Sequence, residues 1–335
     1  MKKGTREIAL EILSFFDKNG YIPSKKVEIA LSTLSFEERK FTVNLYMGAL
    51  RKQVFIDHIL KKYLKRPDKL PAAVRNALRL GVFQIYFVDS VPEYAAIKET
   101  VSLVGVKSFK NLVNAVLRRI ANERIEFDFL PLWLRHSHPE WLVSYFKALP
   151  YLDDLEPLLE YNQAPPLETY LIDEMKRAEL EENSYFFTDS EFSDVAILVE
   201  RGIGKPELHR VDEMEYILEK TGEKVLRKSG SMLSLLNEKP WLFRTLKRDD
   251  FSKATESLLS ELANCEHKVF FLLLDSYSLE ETRGLMHRLI KRGYSPEGFD
   301  VTFGGRLKGK EQDYGVYYFP PDAPRPCFVS YLRRR

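Results

Sequence analysis

The sequence predicts a multi-domain chain, all-α and then α/β. Three observations carry this. Apolar residues recur at helical spacing over the first 124 positions, short β-type runs alternate with helical patterns after residue 167, and the charge divides between the two halves. Residues 1–130 hold 23 Lys and Arg against 14 Asp and Glu, a net of +9, while the other 205 residues hold 28 against 35, a net of −7. A chain of 335 residues exceeds one average domain. The expected organisation is a helical domain over 1–128, a helical connector over 129–166 and an α/β domain over 167–335.

In the first domain, Ile8, Ile12, Leu13 and Phe16 make one helical stripe, which Gly20 and Pro23 end. Ser35 followed by Glu37 and Glu38 supplies a cap and early acids for a helix reaching about Arg51. Phe55, Ile56, Ile59, Leu60 and Tyr63 form the next stripe, closed by Pro67. Pro71 and Pro92 each stand where proline opens a helix, and Lys107 to Ile120 is the last helical pattern, for about seven helices in all. The connector mixes Trp133, Trp141, Tyr145 and Phe146 with six prolines, a composition for short packed helices rather than a free linker. Beyond it, strands are expected at 167–172, 185–188, 195–199, 268–274, 315–319 and 327–332, with helices near 210–221, 250–263 and 279–292.

Composition excludes several classes. With 44% apolar and 30% charged residues the chain reads as globular. No apolar run approaches the roughly 20 residues of a membrane helix, and the charged start is not that of a signal peptide. Cys265 and Cys327 are too few for a disulfide framework or a four-thiolate zinc site, and the six histidines lack metal-ligand spacing. A reducing cytoplasm is the expected setting, with no metal and no membrane partner.

The basic residues of the first domain are the candidate RNA contacts: Lys3, Arg6, Arg39, Lys40, Arg51, Lys52, Arg75, Arg79, Lys107, Lys110, Arg118 and Arg119. Such side chains neutralise phosphates, and arginine adds bidentate geometry. Arg75 and Arg79, four apart, share one helix face. Arg333, Arg334 and Arg335 read as a solvated basic tail.

Four segments in order carry a resemblance: Tyr46-Met47-Gly48-Ala49-Leu50-Arg51, Arg75-Asn76-Ala77-Leu78-Arg79-Leu80-Gly81, Pro92-Glu93-Tyr94-Ala95-Ala96-Ile97-Lys98-Glu99 and Val113-Asn114-Ala115-Val116-Leu117-Arg118. They resemble the NusB fold, and more closely its variant fused to the RsmB (Sun) family of ribosomal RNA cytosine-5 methyltransferases. His138-Pro139-Glu140-Trp141-Leu142 and Tyr161 to Leu167 are similar to the passage into that family's catalytic part. The resemblance covers residues 1–172 and implies an RNA-binding helical module, with a truncated Rossmann-like, methyltransferase-type domain behind it.

The second half departs from the family, whose members attack cytosine with a cysteine thiolate and take the methyl group from S-adenosylmethionine. Only 56 residues separate Ile172 from Ser229, far fewer than that donor-binding region uses. Gly202 and Gly204 are the remnant of the glycine turn that lets a donor approach the backbone. By resemblance, Asp275 stands where the family nucleophile Cys would be, and the family's Pro-Cys site falls near Ser229-Gly230-Ser231, without sulfur. A carboxylate is a poor nucleophile toward a pyrimidine carbon. Pro326-Cys327 repeats the dipeptide but opens the expected last strand, where a small buried residue is the simpler role. The expected function is therefore RNA binding without catalytic residues or cofactor, on ribosomal RNA or in transcription or ribosome assembly, with a ribosomal or transcription protein as a further partner. Two alternatives stay open: an active S-adenosylmethionine-dependent 16S rRNA cytosine-5 methyltransferase with a relocated cysteine, and a protein-interaction module of the antitermination type.

Overall fold

Helix α5 (Ala72–Phe87) organises the first half. Twelve of its sixteen residues are buried, among them Leu78, Leu80, Val82 and Ile85, so other helices must surround it. In this computed structural model they are α1 (Thr5–Asn19), α2 (Ser24–Leu31), α3 (Phe36–Arg51), α4 (Gln53–Tyr63), α6 (Glu93–Ser102) and α7 (Lys107–Asn122). Seven α-helices between residues 3 and 128 match the count read from periodicity. The structure describes residues 3–190, 195–200, 206–228, 239–240, 242, 267–276, 278–302, 307–320, 323 and 325–334.

The expected caps are in place. Ser35 Oγ accepts from Glu38 N–H at 3.3 Å while Ser35 N–H donates to Glu38 Oε2 at 2.8 Å, a reciprocal pair that satisfies two orphan donors of α3. Gly20 closes α1 at φ 77°, in the left-handed region where a side chain is strained. Pro71 and Pro92 immediately precede α5 and α6.

The chain forms two compact units, residues 1–145 with 239–245, and 146–238 with 246–335. Residues 129–166 divide between them. The short α8 (Leu132–Arg135) lies in the first, α9 (Glu140–Lys147) begins there, and α10 (Glu156–Gln163) lies in the second.

The second unit is mixed α/β, with two sheets among the described residues. Strands β1 (Glu168–Leu171), β2 (Phe186–Asp189), β3 (Val195–Glu200) and β4 (His209–Arg210) form an antiparallel sheet in the order β2-β3-β1-β4. Helix α11 (Glu174–Glu182) follows β1, with Asp173 capping it at Lys176 N–H. The other sheet contains β5 (Val225–Lys228), β6 (Val269–Leu274), β7 (Tyr294–Glu297), β8 (Gly309–Gln312), β9 (Gly315–Tyr318) and β10 (Cys327–Arg334), in the order β5-β6-β10-β9-β8 with β7 also on β10. Helices α12 (Glu213–Glu219) and α13 (Leu279–Lys291) accompany it. All six expected strands are present. The periodicity did not indicate β4, β5, β7, β8 or α11, which are short or carry polar faces. The helix expected near 250–263 lies outside the described residues. A Rossmann-like layer calls for parallel strands, and among the described strands only β5 and β6 are parallel.

Two motif glycines explain how closely the bundle helices approach. A Cβ on Gly48 would come within 2.0 Å of the Phe83 ring, and one on Gly81 within 2.5 Å of Leu117 Cδ1. We expect Gly48→Ala and Gly81→Ala each to lower the first urea-unfolding midpoint. Overpacking costs about 1–3 kcal/mol, which exceeds the ~1 kcal/mol that alanine gains in a helix. A raised midpoint for either would contradict the close approach.

Candidate nucleic-acid interface

The twelve basic candidates do not share one environment. Arg79 points inward, its side chain 7% exposed, with Nε and Nη2 held by the two carboxylate oxygens of Asp57 at 2.7 and 2.8 Å. Its Nη1 donates to Asn76 at 2.9 Å and stands 3.5 Å from Asp17. Arg75 joins the same knot through Asp17 at 2.9 Å and the Asp68 carbonyl at 3.3 Å. Read from spacing as a phosphate-binding pair, these arginines instead neutralise two bundle carboxylates. A buried arginine needs such partners, and these hold α1, α4 and α5 together.

Four more candidates are partly committed to the bundle. Arg6 donates to Gln84 at 2.8 Å and lies over the Phe41 ring, and burial draws its pKa down against the pull of Glu99. Arg39 closes the end of α2, donating to the carbonyls of Leu34 and Ser32. Arg51 is half-buried, with its pKa lowered by burial and Tyr46 opposing. Lys52 lies over the Phe87 ring, and burial together with Arg51 draws its ammonium down to about 8.

The remaining candidates, Lys3, Lys40, Lys107, Lys110, Arg118 and Arg119, face solvent, as the exposed Arg39 also does; Lys110 is half-exposed and the others exposed. Lys3 pairs with Glu11 at 2.5 Å, Lys40 lies over the Phe36 ring, and Arg119 pairs with Glu123 at 2.8 Å. Lys107, Lys110 and Arg118 remain as a set on α7. With Asn114 they fall within about 80° of arc at 3.6 residues per turn. Helix α7 carries four basic residues and no acid, while Val113, Val116, Leu117 and Ile120 bury its core side. Arg118 is steadied by an Nε–H bond to Asn114 Oδ1 at 3.1 Å.

Asp275, which the resemblance sets at the family's nucleophile position, lies at the end of β6. Asp275 is 4% exposed and faces two arginines, with Arg227 Nη2 on Oδ2 at 3.1 Å and Arg325 Nη1 on Oδ1 at 2.5 Å. Arg227, from β5, also reaches Asp212 at 3.1 Å and Glu215 at 3.2 Å. Arg325 grips Asp212 bidentately at 2.7 and 3.1 Å. Burial would raise the Asp212 carboxyl, but Arg325 and Arg227 overcome it and hold it below the usual range. Burial pulls Arg227 and Arg325 down, but the carboxylates outweigh it and leave both arginines raised. Next door, Ser276 donates to Glu281, and Ser278 Oγ caps α13 by accepting from Glu281 N–H at 3.3 Å.

Cys327 lies beside this cluster. Phe328 of β10 pairs with Leu274 of β6, so Cys327 lies level with Asp275. It is fully buried, and burial pushes its thiol up to about 12. That is a small buried residue opening a strand, as its sequence position implied. Gly202, Gly204, Cys265 and Ser229-Gly230-Ser231 lie outside the described residues. A carboxylate locked between guanidinium groups does not fit the thiolate chemistry for which the family uses its methyl donor. Sequence reasoning missed Arg227, Arg325, Asp212 and Glu215. They lie in short segments, such as the four-residue β5, that carry no motif. Among the described residues no cluster of His, Cys, Asp or Glu could hold a metal ion, and no helix is long and apolar enough to cross a membrane.

Residues 3–122 match the NusB family. The N-terminal bundle is a NusB domain. The chain that carries this NusB domain is 31% identical over 192 residues to the probable ribosomal RNA small subunit methyltransferase B of Bacillus subtilis (strain 168), covering 53% of this chain and 43% of that one. It is 29% identical over 124 residues to the transcription antitermination protein NusB of Nocardioides sp. (strain JS614), covering 36% of this chain and 92% of that one. The match thus spans about two fifths of the methyltransferase relatives' length. The crystal structure of PH0851 aligns over the whole of both chains with a TM-score of 0.71 at 12% identity, a likeness of fold.

Removing one partner from a buried ion cluster costs about 3–5 kcal/mol, so Asp275→Ala should lower the unfolding midpoint of the second unit sharply. The cluster also sets an acid limb. The folded pKa of Asp212 lies below its unfolded value of about 3.9, so its contribution is present above that pH and is lost as pH falls through the folded value. Asp212→Asn should flatten the loss of stability below about pH 4; an unchanged acid limb in urea titrations would refute this.

Proposed function

We propose that this protein binds RNA of the ribosomal or transcription machinery through its NusB domain and does so without catalysing methyl transfer. The observation that carries the binding half is the acid-free outer side of α7, with Lys107, Lys110 and Arg118 directed to solvent. The remaining basic candidates are buried, paired, stacked or, for Arg39, bonded to backbone carbonyls, which narrows the interface to this helix and its neighbours. The names of the relatives support the setting, since they refer to small-subunit ribosomal RNA and to transcription antitermination.

Asp275 supports the non-catalytic half. A nucleophile must be free to approach the base, whereas this carboxylate is buried and held by Arg227 and Arg325. Cys327 offers no substitute, because its thiol stays protonated and enclosed near neutral pH.

Filter binding of the full chain to a structured RNA should show log K falling linearly with log salt. Replacing Lys107, Lys110 and Arg118 with alanine should reduce that slope by about three, roughly one per phosphate contact. Arg79→Lys should lower the unfolding midpoint yet keep the slope, because Arg79 serves the bundle. Weak binding that is flat in salt would overturn the reading. The chemistry has its own test. Calorimetry with S-adenosylmethionine should give no heat of binding, and saturable binding would return the chain to the methyltransferases.

A further inference from the structure

We propose that the end of the C-terminal sheet farthest from Asp275 is a second phosphate-binding surface for RNA. This rests on the RNA-binding reading above and extends it to the second unit. Topology gathers the surface. Strands β5 and β6 run parallel, and β10 runs antiparallel to both β6 and β7, so the starts of β6 and β7 lie with the end of β10. Helix α13 begins four residues after Asp275 and its cap, Arg292, falls two residues before β7, so it returns to the same end. Lys268 and Asp275 bracket β6, roughly 23 Å apart at ~3.3 Å per residue.

Each element delivers cations there. Lys268 precedes β6, Arg333 and Arg334 end β10, and Arg288, Lys291 and Arg292 end α13. All six are exposed. One set of contacts joins the starts of β6 and β7 to the end of β10. Arg334 N–H donates to the Lys268 carbonyl at 2.6 Å, and its guanidinium lies over the Tyr294 ring at 5.7 Å. The acids described at this end are engaged. Glu297 pairs with Arg333 at 2.8 Å, and Glu223 accepts from the Tyr331 hydroxyl at 3.1 Å. Arg333 and Arg334, expected with Arg335 as a solvated tail, belong to a strand that runs through Arg334, and Arg335 lies outside the described residues. A fixed strand end presents its charges at constant spacing, with little of the ordering cost that a tail would incur on binding.

The surroundings sharpen the case. Residues 131–335 carry a net charge of −7, which repels a polyanion. Against that background, cations carried to one end of the sheet by three elements stand out, and charges closer than a Debye length of about 10 Å at 0.1 M salt act together on a polyanion. Neighbouring strands about 4.8 Å apart set the ends of β6, β10 and β7 across a width that suits successive phosphates of one strand.

The experiment compares two triple variants of the full chain in salt-dependent filter binding to one structured RNA. Lys268→Gln, Lys291→Gln and Arg334→Gln together should reduce the salt slope by about three and weaken binding at least about tenfold at 0.1 M salt. The α7 triple variant should reduce the slope separately, and the combined losses should add. If the wild-type chain binds no RNA, the NusB-domain reading fails and this one with it. If wild type binds and the sheet-end variant matches its slope, only this proposal fails. Binding to phosphatidylglycerol vesicles that the variant loses, with RNA binding intact, would assign the surface to lipid and overturn the proposal as well. The unfolding midpoint should stay that of wild type. Should it fall, Lys291→Gln alone, on the outside of α13, decides the matter through a slope change of about one.

Discussion

The enclosure of α5 constrains the rest of the NusB domain. A helix buried around most of its circumference must be met closely by several others, and Gly48 and Gly81 are the points where the approach leaves no room for a side chain. Enclosure also decides the fate of charge. Arg79 lies on this helix, so its guanidinium cannot reach water and must be neutralised within the bundle. Asp57 and Asp17 do so. These carboxylates come from α4 and α1, so the ion pairs fix the relation of those helices to α5. The cations free to meet a polyanion are those of the outer shell, which concentrates the candidate interface on α7.

The same physics acts at the end of β6. A lone carboxylate in an apolar sheet end would be costly, and two arginines from β5 and from the loop before β10 remove that cost. Both Asp275 oxygens thus lie opposite guanidinium groups. Ser276 and Glu281 follow the same course by bonding to each other. Asp275, Ser276 and Glu281 are all buried at this strand end.

Helical periodicity was enough to read the first domain. Its stripes are long, its caps are conventional, and each proline stands at a boundary, so local signals and tertiary structure agree. The polar elements were harder. Strand β8 reads Gly-Lys-Glu-Gln, with no apolar residue to mark it, and β4 has two residues, His209 and Arg210. Their pairing depends on neighbours distant in sequence, which no local window contains. The site was legible only in part. Spacing put Arg75 and Arg79 on one face correctly, but spacing does not say which face is turned inward; that depends on where Asp17 and Asp57 arrive. Asp275 was found through its place in an ordered family pattern, whereas its partners Arg227 and Arg325 lie 48 and 50 residues away in the chain and belong to no motif.

Charge distribution links the two ends of this reasoning. A chain with net charge +2 has no general attraction for RNA, so any affinity must come from local concentrations of cations held by secondary structure. Helix α7 achieves this by excluding acids over sixteen residues. The end of the second sheet achieves it by convergence, with α13 and β10 each ending in basic residues at the same place. Convergence of this kind is invisible to net charge and to any single segment. In the one-dimensional reading the same arginines were a tail, and only the pairing of β10 with β6 and β7 makes them a surface. The Asp275 ion cluster and the basic corner occupy opposite ends of β6, so the carboxylate at Asp275 leaves the far end of the sheet unaltered.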